Sequence, residues 1–238
     1  MTAVRALRAL TAPVEDYLKA IFELEAAEGD GVAGTNEIAA TLGVAPASVS
    51  GMVRRLAEQG LIAHEPYRGV RLTKAGRRAA LRTLRRHRVI EAYLTTALGY
   101  AWDLVHDEAE RLEHAASDEL IDRMAAAIGE PATDPHGAPI PSRDGTLDEP
   151  ALMPLAAVKV GGRVSIQRVG DRNGEQLRYL AELGITPGRQ VEVLSRAPFD
   201  GPIALRIGRV TKTIGPGLAK QILVTGLTGL TGLTGSPK

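Results

Sequence analysis

The residues with the clearest potential for chemistry lie between positions 106 and 114, in the stretch HDEAERLEH. Successive residues of an α-helix are about 100° apart, so both histidines and two of the glutamates would fall on one side of a helix, within an arc of about 100°. These four residues are His106, Glu110, Glu113 and His114. An apolar stripe borders them and is made of Val105, Ala109, Leu112 and Ala116. We therefore expect the polar face to lie at the margin of a core, where it could bind a metal ion.

A second pair of such side chains occurs earlier in the sequence. His87 and Glu91 are four residues apart, which places an imidazole beside a carboxylate on a helix. The chain contains no cysteine, so all these candidate ligands are nitrogen and oxygen donors, a set suited to a first-row divalent ion. Glutamate-rich helix faces are usually solvated, and the residues alone leave that alternative open.

Composition limits the class of protein. At 238 residues the chain is long enough for two or three small domains, and with 3% aromatic residues the cores must be filled by aliphatic side chains. The lack of cysteine excludes a disulfide framework and fits a reducing compartment. The N-terminal stretch MTAVRALRALTAP is interrupted too often by arginine for a secretory signal, and no stretch approaches a membrane span. We therefore expect a soluble, cytoplasmic protein.

Positive charge is concentrated although the net charge is only +1. Acidic residues cluster in the stretches 15–30, 103–122 and 144–149, whereas between positions 52 and 88 only Glu58 and Glu65 are acidic. Basic residues dominate that segment: Arg54, Arg55, Arg68, Arg71, Lys74, Arg77, Arg78, Arg82, Arg85, Arg86 and Arg88. This distribution indicates that one face of the molecule meets a polyanion.

The basic segment follows a pattern typical of DNA-binding domains. Apolar spacing predicts a first helix from about residue 12 to residue 28, a second that Thr35 caps and Gly43 ends, and a third from Pro46 to Gly60. Two short strands, 61–65 and 70–72, then flank a turn, and Thr73 caps a long arginine-rich helix that reaches toward residue 98. Two helices joined by a short turn and followed by a hairpin form a winged helix-turn-helix.

In that fold the third helix enters the major groove and the wing touches the DNA backbone. We therefore expect the groove-facing residues to be Ala45, Ala47, Ser48, Ser50 and Gly51. Arg54, Arg55 and Arg68 are placed for phosphates. Each arginine taken alone is more often a solvated surface residue, whereas the ordered set of elements favours contacts with DNA.

The rest of the chain changes character twice. Helical periodicity continues over 107–128, and the Pro- and Gly-rich stretch 129–150 reads as a loop and linker. Strands are then predicted at 163–169, 190–194, 203–207 and 221–224, with one short helix at 176–183. A small β-barrel would close so few strands, and the repeat GLTGLTGLTGSPK is expected to be disordered.

This order of parts resembles the diphtheria toxin repressor family of metal-dependent transcriptional repressors, in the branch with a C-terminal SH3-like (FeoA-like) domain. The resemblance covers about residues 13–225 and rests on EDYLKAIFEL at 15–24, the helix-turn-helix at 35–60, HRVIEAYL at 87–94 and VHDEAERLEHAASDELIDRM at 105–124. It implies an α+β multi-domain protein. Its parts are a winged helix-turn-helix (1–73), an all-α dimerisation and metal-binding domain (74–140), a linker (141–157), a small SH3-like β-barrel (158–226) and a disordered tail (227–238).

The resemblance also implies two metal sites. The primary site would use Asp16, Glu110, Glu113 and His114. The ancillary site would use His87, Glu91 and His106 together with an acidic residue after the first barrel strand, for which Asp171 is the best match. That last alignment is loose because the turn DRNGE differs in length, so Glu175 or Gln176 could serve instead.

Two positions indicate which metal is bound. Iron-responsive members of the family have Met and Cys where this chain has Asp16 and Glu110, whereas manganese-responsive members have carboxylates at both, a hard, oxygen-rich set. A shorter manganese-responsive branch pairs two adjacent ions through a Glu at the position that is Lys19 here, and an ammonium cannot ligate a cation. Separate primary and ancillary sites are therefore expected.

The resemblance implies a repressor of manganese homeostasis, in which Mn²⁺ acts as co-repressor and orders a homodimer for a palindromic operator. Fe²⁺ is the alternative co-repressor, and other divalent first-row ions could substitute in vitro. A winged-helix regulator that senses an organic effector is a further alternative. We do not expect an enzyme, because the chain lacks a His-Glu-x-x-His run, a phosphate-binding Gly-rich loop, a Gly-x-Ser-x-Gly elbow and any Cys nucleophile.

Overall fold

The computed structural model describes residues 10–27, 31–65 and 68–227. The chain divides into two compact units, and each is described by itself. The first unit comprises residues 1–90, 109–127 and 140–147, and the second comprises residues 91–108, 128–139 and 148–238. The division passes through two helices, so each of these helices contributes residues to both units.

The first unit contains the predicted winged helix-turn-helix. Its elements are α1 (Ala12–Ala27), α2 (Thr35–Leu42), α3 (Pro46–Glu58), β1 (Ile62–Glu65), β2 (Gly69–Leu72) and the first part of α4 (Lys74–Leu98). One apolar core joins the helices and the hairpin, with Leu18, Ile38, Leu56 and Leu84 at most 2% exposed. β1 and β2 pair antiparallel as the wing, while the predicted turn residues Pro66 and Tyr67 lie outside the described residues.

Most of the predicted helix boundaries agree with the structure. Gly43 ends α2 in the left-handed conformation, and the Thr73 hydroxyl accepts a hydrogen bond from the Gly76 amide at 3.2 Å, as an N-cap does. The predicted Thr35 cap was wrong. Thr35 is the first helical residue, and the N-cap position is Gly34, which has no side chain to accept a hydrogen bond.

The long helix predicted over 107–128 is two helices, α5 (Val105–Leu112) and α6 (Asp118–Ala127). Ser117 explains the break, because its hydroxyl accepts a hydrogen bond from the Leu120 amide at 3.2 Å and its carbonyl accepts one from the Ile121 amide. Ser117 is therefore an N-cap that starts a new helix, with two acidic residues in its first turn. As a consequence, Glu113 and His114 lie in a turn after α5 rather than on a continuous helix.

The second unit is built on a six-stranded antiparallel sheet, in the order β3-β8-β4-β5-β6-β7. Its elements are β3 (Met153–Pro154), β4 (Arg163–Val169), α7 (Gly174–Leu183), β5 (Gln190–Arg196), β6 (Ile203–Ile207), β7 (Val210–Ile214), α8 (Pro216–Lys220) and β8 (Ile222–Gly226). Inward-facing Ile166, Val193, Leu205 and Val224 are fully buried, as alternating strands require. The SH3-like fold class is confirmed, although in residues 68–227 the sheet has two edges, β3 and β7, and does not close into a ring.

Sequence patterns did not predict β3, β7 or α8. No helix among the described residues has the length and apolarity needed to cross a membrane. The C-terminal repeat that was predicted to be disordered lies, from residue 228 on, outside the described residues.

Candidate metal centre

Three of the four predicted primary ligands converge in the first unit. Asp16, Glu113 and His114 each offer a ligand atom, and these atoms lie within 4.8 Å of one another. We call these three residues the first cluster. Asp16 comes from α1 of the winged helix, whereas the other two come from the turn after α5, so residues about a hundred positions apart in sequence meet here. A carboxylate pair with one imidazole is a ligand set suited to a first-row divalent ion.

The side chains of this cluster are close to one another but not fully satisfied by hydrogen bonds among the described residues. Asp16 Oδ1 lies 2.8 Å from His114 Nε2, yet this buried oxygen accepts no hydrogen bond from any described residue. The other ring nitrogen, His114 Nδ1, donates to Glu15 Oε2 at 2.7 Å, which directs Nε2 toward Asp16. The 2.8 Å contact is an ion pair in the metal-free chain, and its two atoms are also close enough to ligate one ion.

Burial and neighbouring charges shift the pKa values of two residues in the first cluster. Burial raises the pKa of the Asp16 carboxyl, although the positive charges of His114 and Lys19 act in the opposite direction. Burial alone would lower the pKa of His114, but the hydrogen bond to Glu15 and the charge of Asp16 outweigh it, and the pKa is raised.

The fourth predicted primary ligand, Glu110, lies beside the first cluster and contacts a lysine. Lys19 Nζ is 2.5 Å from Glu110 Oε1 and 2.7 Å from Glu113 Oε1. The second oxygen of Glu113 is 2.6 Å from His87 Nδ1, so both oxygens of this fully buried carboxylate are engaged. His87 belongs to the first unit and contacts Glu113, one of the predicted primary ligands.

Four other side chains form a second group in the second unit. Glu91, Asp134, His136 and Asp171 also have ligand atoms within 4.8 Å of one another. We call these four residues the second cluster. Glu91 is on α4, Asp134 and His136 are on the segment that follows α6, and Asp171 is in the turn between β4 and α7. Both Glu91 and His136 are fully buried.

Backbone contacts hold the second cluster in place. His136 Nε2 donates to the Trp102 carbonyl at 2.8 Å, and Asp134 Oδ1 accepts from the His136 and Ala138 amides, each at 2.9 Å. His136 Nδ1 is left 3.8 Å from a Glu91 oxygen, which is too long for a hydrogen bond, and it is buried without a hydrogen-bond partner among the described residues. Burial favours the neutral ring, but Glu91 and Asp134 outweigh it and raise the pKa of His136 to about 9.

Similarity to known proteins covers most of the chain. Residues 9–70 match the iron dependent repressor N-terminal DNA binding domain, residues 73–142 match the iron dependent repressor metal binding and dimerisation domain, and residues 153–226 match the FeoA domain. The diphtheria toxin repressor of Corynebacterium diphtheriae is 32% identical over 210 residues, which span 84% of this chain and 90% of that protein. The chain belongs to the diphtheria toxin repressor family.

The proteins similar to this chain include both an iron-dependent and a manganese-dependent repressor. The iron-dependent repressor IdeR of Mycobacterium tuberculosis is 30% identical over 192 residues, or 75% of this chain and 82% of that protein. A manganese-dependent transcriptional repressor solved in complex with manganese is 41% identical, with a TM-score of 0.85 over 90% of this chain and 100% of that chain. The family consists of metal-dependent, DNA-binding repressors that dimerise and are not enzymes, which confirms those expectations.

Two of the four residues expected at the ancillary site, Glu91 and Asp171, lie in the second cluster, where Asp134 and His136 accompany them. Asp171 joins Glu91 in the second cluster, and His106 Nδ1 lies 3.4 Å from the other Glu91 oxygen. Glu175 and the alternative Gln176 lie in the first turn of α7, where the Gln176 amide donates to Asn173. Sequence reasoning missed Asp134 and His136, and the only available signal was a pair of potential ligands two residues apart in a segment that reads as a linker.

The repressor's expected DNA-reading surface is exposed. α3 buries Val49, Val53 and Leu56 on one side. The predicted contact residues all lie on exposed positions, at Ala45, Ala47, Ser48, Ser50, Gly51, Arg54, Arg55 and Arg68. This side of α3 is therefore open to a ligand as large as DNA.

Proposed function

We propose that this repressor responds to manganese, and that Mn²⁺ bound by the first cluster together with Glu110 is its co-repressor. The observation that carries the proposal is the convergence of Asp16 Oδ1 and His114 Nε2 at 2.8 Å without an aligned hydrogen bond. Asp16 belongs to the DNA-binding part of the chain, and His114 follows α5. An ion bound between them would link metal occupancy to the position of the winged helix-turn-helix.

The donor set supports manganese over iron. Asp16 and Glu110 supply carboxylates, and the whole chain has no thiolate to favour a softer ion. A manganese-bound repressor that is 41% identical to the chain adds support from a relative. An iron-dependent relative is similar over three quarters of the chain, so Fe²⁺ is the alternative that the experiment must exclude.

The bound ion would supply a positive charge that pulls the carboxylates and the imidazole together. Glu15 orients His114 through a 2.7 Å hydrogen bond. Asp16 connects the metal site to α1, which packs in the same core as α3. A ligand shifts a conformational equilibrium only through its preference for one state. An ordered homodimer would then present two copies of α3 to a palindromic operator in the cytoplasm.

The second cluster is the best-supported ancillary site. Glu91, Asp134, His136 and Asp171 offer three carboxylates and one imidazole in a buried pocket of the second unit. Such a site would fasten the segment carrying Asp134 to the turn carrying Asp171, and would stabilise the SH3-like unit. The set based on His87, Glu91, His106 and Asp171 is the competing assignment.

Metal-dependent DNA binding tests the proposal. Double-stranded DNA with a randomised palindrome is first selected on the repressor in separate experiments with Mn²⁺ and with anaerobic Fe²⁺. Fluorescence anisotropy then measures the affinity for the selected DNA with Mn²⁺, Fe²⁺, Zn²⁺ or chelator. We expect tight binding at micromolar Mn²⁺ and only salt-sensitive, non-specific binding with chelator. Equal affinity with chelator and with Mn²⁺ would refute the co-repressor role.

Exchanging the two discriminating ligands tests the metal assignment. The double variant Asp16→Met, Glu110→Cys replaces two hard oxygen donors with softer sulfur donors. We expect its DNA binding to respond to Fe²⁺ at a lower concentration than to Mn²⁺, the reverse of the natural chain. An unchanged ranking of the two ions would contradict the role given to these positions.

A further inference from the structure

Lys19 occupies an unusual place for a lysine. It lies three residues after Asp16 on α1, so both side chains project from the same face of the helix. Its side chain is only 10% exposed, and lysine is rarely buried to this extent unless it is paired with an acidic group. Here the pairing groups are the primary-site carboxylates of Glu110 and Glu113.

These contacts divide the primary site into two halves. On one side, Asp16 and His114 converge without a hydrogen bond between them. On the other side, the Lys19 ammonium lies 2.5 Å from Glu110 and 2.7 Å from Glu113, and so compensates the negative charge that a metal would otherwise compensate. Charge-assisted hydrogen bonds of this length are among the stronger polar contacts in proteins.

Glu113 contacts Lys19 and also lies near His114, a predicted ligand of the ion. It is fully buried, its Oε1 contacts Lys19 and its Oε2 contacts His87 at 2.6 Å. The same Oε1 lies 3.6 Å from His114 Nε2, close to the position where an ion bound by His114 would be. An ion bound by Glu113 Oε1 would therefore share that oxygen with the Lys19 ammonium, so that two positive charges would compete for one acceptor.

We propose that Lys19 is an internal cation of the primary site, which holds Glu110 and Glu113 in the metal-free repressor and competes with the incoming divalent ion for them. The inference rests on the proposed function, since it concerns ions bound by the first cluster. Lys19 then sets the metal concentration at which the repressor responds. It also stabilises the metal-free chain, because two carboxylates beside Asp16 would otherwise repel one another.

Removing the charge of Lys19 tests the inference. The variant Lys19→Met keeps a long apolar side chain and lacks the ammonium. Isothermal titration with Mn²⁺ should show at least tenfold tighter binding than in the natural chain, about 1.4 kcal/mol, and the metal-free variant should melt at a lower temperature. Lys19→Arg keeps the charge and should remain within about threefold of the natural affinity. Unchanged or weaker binding by Lys19→Met would overturn the inference.

Two further variants keep the test decisive. Lys74→Met removes an equivalent charge from an exposed position of the first unit and should leave Mn²⁺ affinity unchanged. If Lys19→Met does not fold without metal, Lys19→Gln retains a hydrogen-bond donor without the charge and should also bind Mn²⁺ more tightly than the natural chain. A failure of the proposed function is recognised separately, because the natural chain would then bind no Mn²⁺ that depends on Asp16.

Discussion

The two clusters of this repressor contain similar ligands in very different surroundings. In the first cluster the side chains of Asp16 and His114 are 35% and 20% exposed, and a lysine contacts the neighbouring carboxylates. In the second cluster Glu91 and His136 are fully buried, and backbone groups orient His136 and Asp134. If both clusters bind metal as proposed, this difference favours a division of labour between them. The partly exposed first cluster, whose neighbouring carboxylates Lys19 contacts, would then sense a changing ion concentration, and the more deeply buried second cluster would hold an ion and stabilise its unit.

The largest effect is expected from removing the first-cluster ligand that α1 provides. Asp16→Ala should lower the affinity for operator DNA at saturating Mn²⁺ by more than about 100-fold, because loss of even an outer-shell partner of a metal site costs about 10–100-fold. Fluorescence anisotropy with the selected DNA measures this change. Asp107→Ala removes an exposed carboxylate from α5 and is the matched control, which should bind DNA as the natural chain does.

Disrupting the second cluster should affect stability more than DNA binding. We expect His136→Gln to lower operator affinity by less than about tenfold and to abolish one class of Mn²⁺ sites. Calorimetry with and without Mn²⁺ should show the loss of a metal-dependent stabilisation of about 2.7 kcal/mol at a hundred times the dissociation constant. If His136→Gln lost DNA binding as completely as Asp16→Ala, the proposed division of labour would be wrong.

A smaller effect is expected from the side chain that orients His114. Glu15→Gln weakens the acceptor of the 2.7 Å hydrogen bond from Nδ1, so Mn²⁺ affinity of the first cluster should fall by about tenfold. Titration calorimetry measures it, with Glu23→Gln on the same helix as the charge-matched control. The second cluster offers no equivalent test, because a backbone carbonyl orients His136. An unchanged affinity would mean that Glu15 has no role in positioning the ligand.

The smallest effect concerns the turn that carries Asp171. Asn173 caps α7 by accepting a hydrogen bond from the Gln176 amide at 3.0 Å. Asn173→Ala should therefore cost about 1 kcal/mol in the free energy of unfolding of the second unit, and Asn173→Ser should restore most of it. Chemical denaturation of the metal-free chain measures both variants. An equal loss in the two would show that capping is not the cause.

Much of the first cluster could be predicted because its residues lie in long, distinctive stretches of sequence. The stretch containing Glu113 and His114 has a clear helical period, and Asp16 lies in a second recognisable stretch. The structure brings the three together even though the helix ends at Leu112. The predicted helix was too long because the hydroxyl of Ser117 caps a new helix. The spacing of apolar residues continues across this break and does not reveal it.

The second cluster could be predicted only in part. Glu91 and Asp171 were expected, but Asp134 and His136 lie in a segment rich in proline and glycine, where no period assigns a side chain to a face. Their position follows from tertiary contacts, such as the hydrogen bond from the Val169 amide to the His136 carbonyl at 3.0 Å. Contacts of this kind between distant segments leave no local pattern in the sequence.

Anomalous diffraction at the manganese absorption edge, from crystals of the repressor grown with Mn²⁺, would show which cluster binds the ion. We expect an anomalous peak bound by Asp16, Glu113 and His114, with the Lys19 ammonium displaced from at least one of its two carboxylates. A peak confined to Glu91, Asp134, His136 and Asp171, in crystals where the first cluster holds no manganese, would contradict the assignment of the first cluster as the manganese-sensing site.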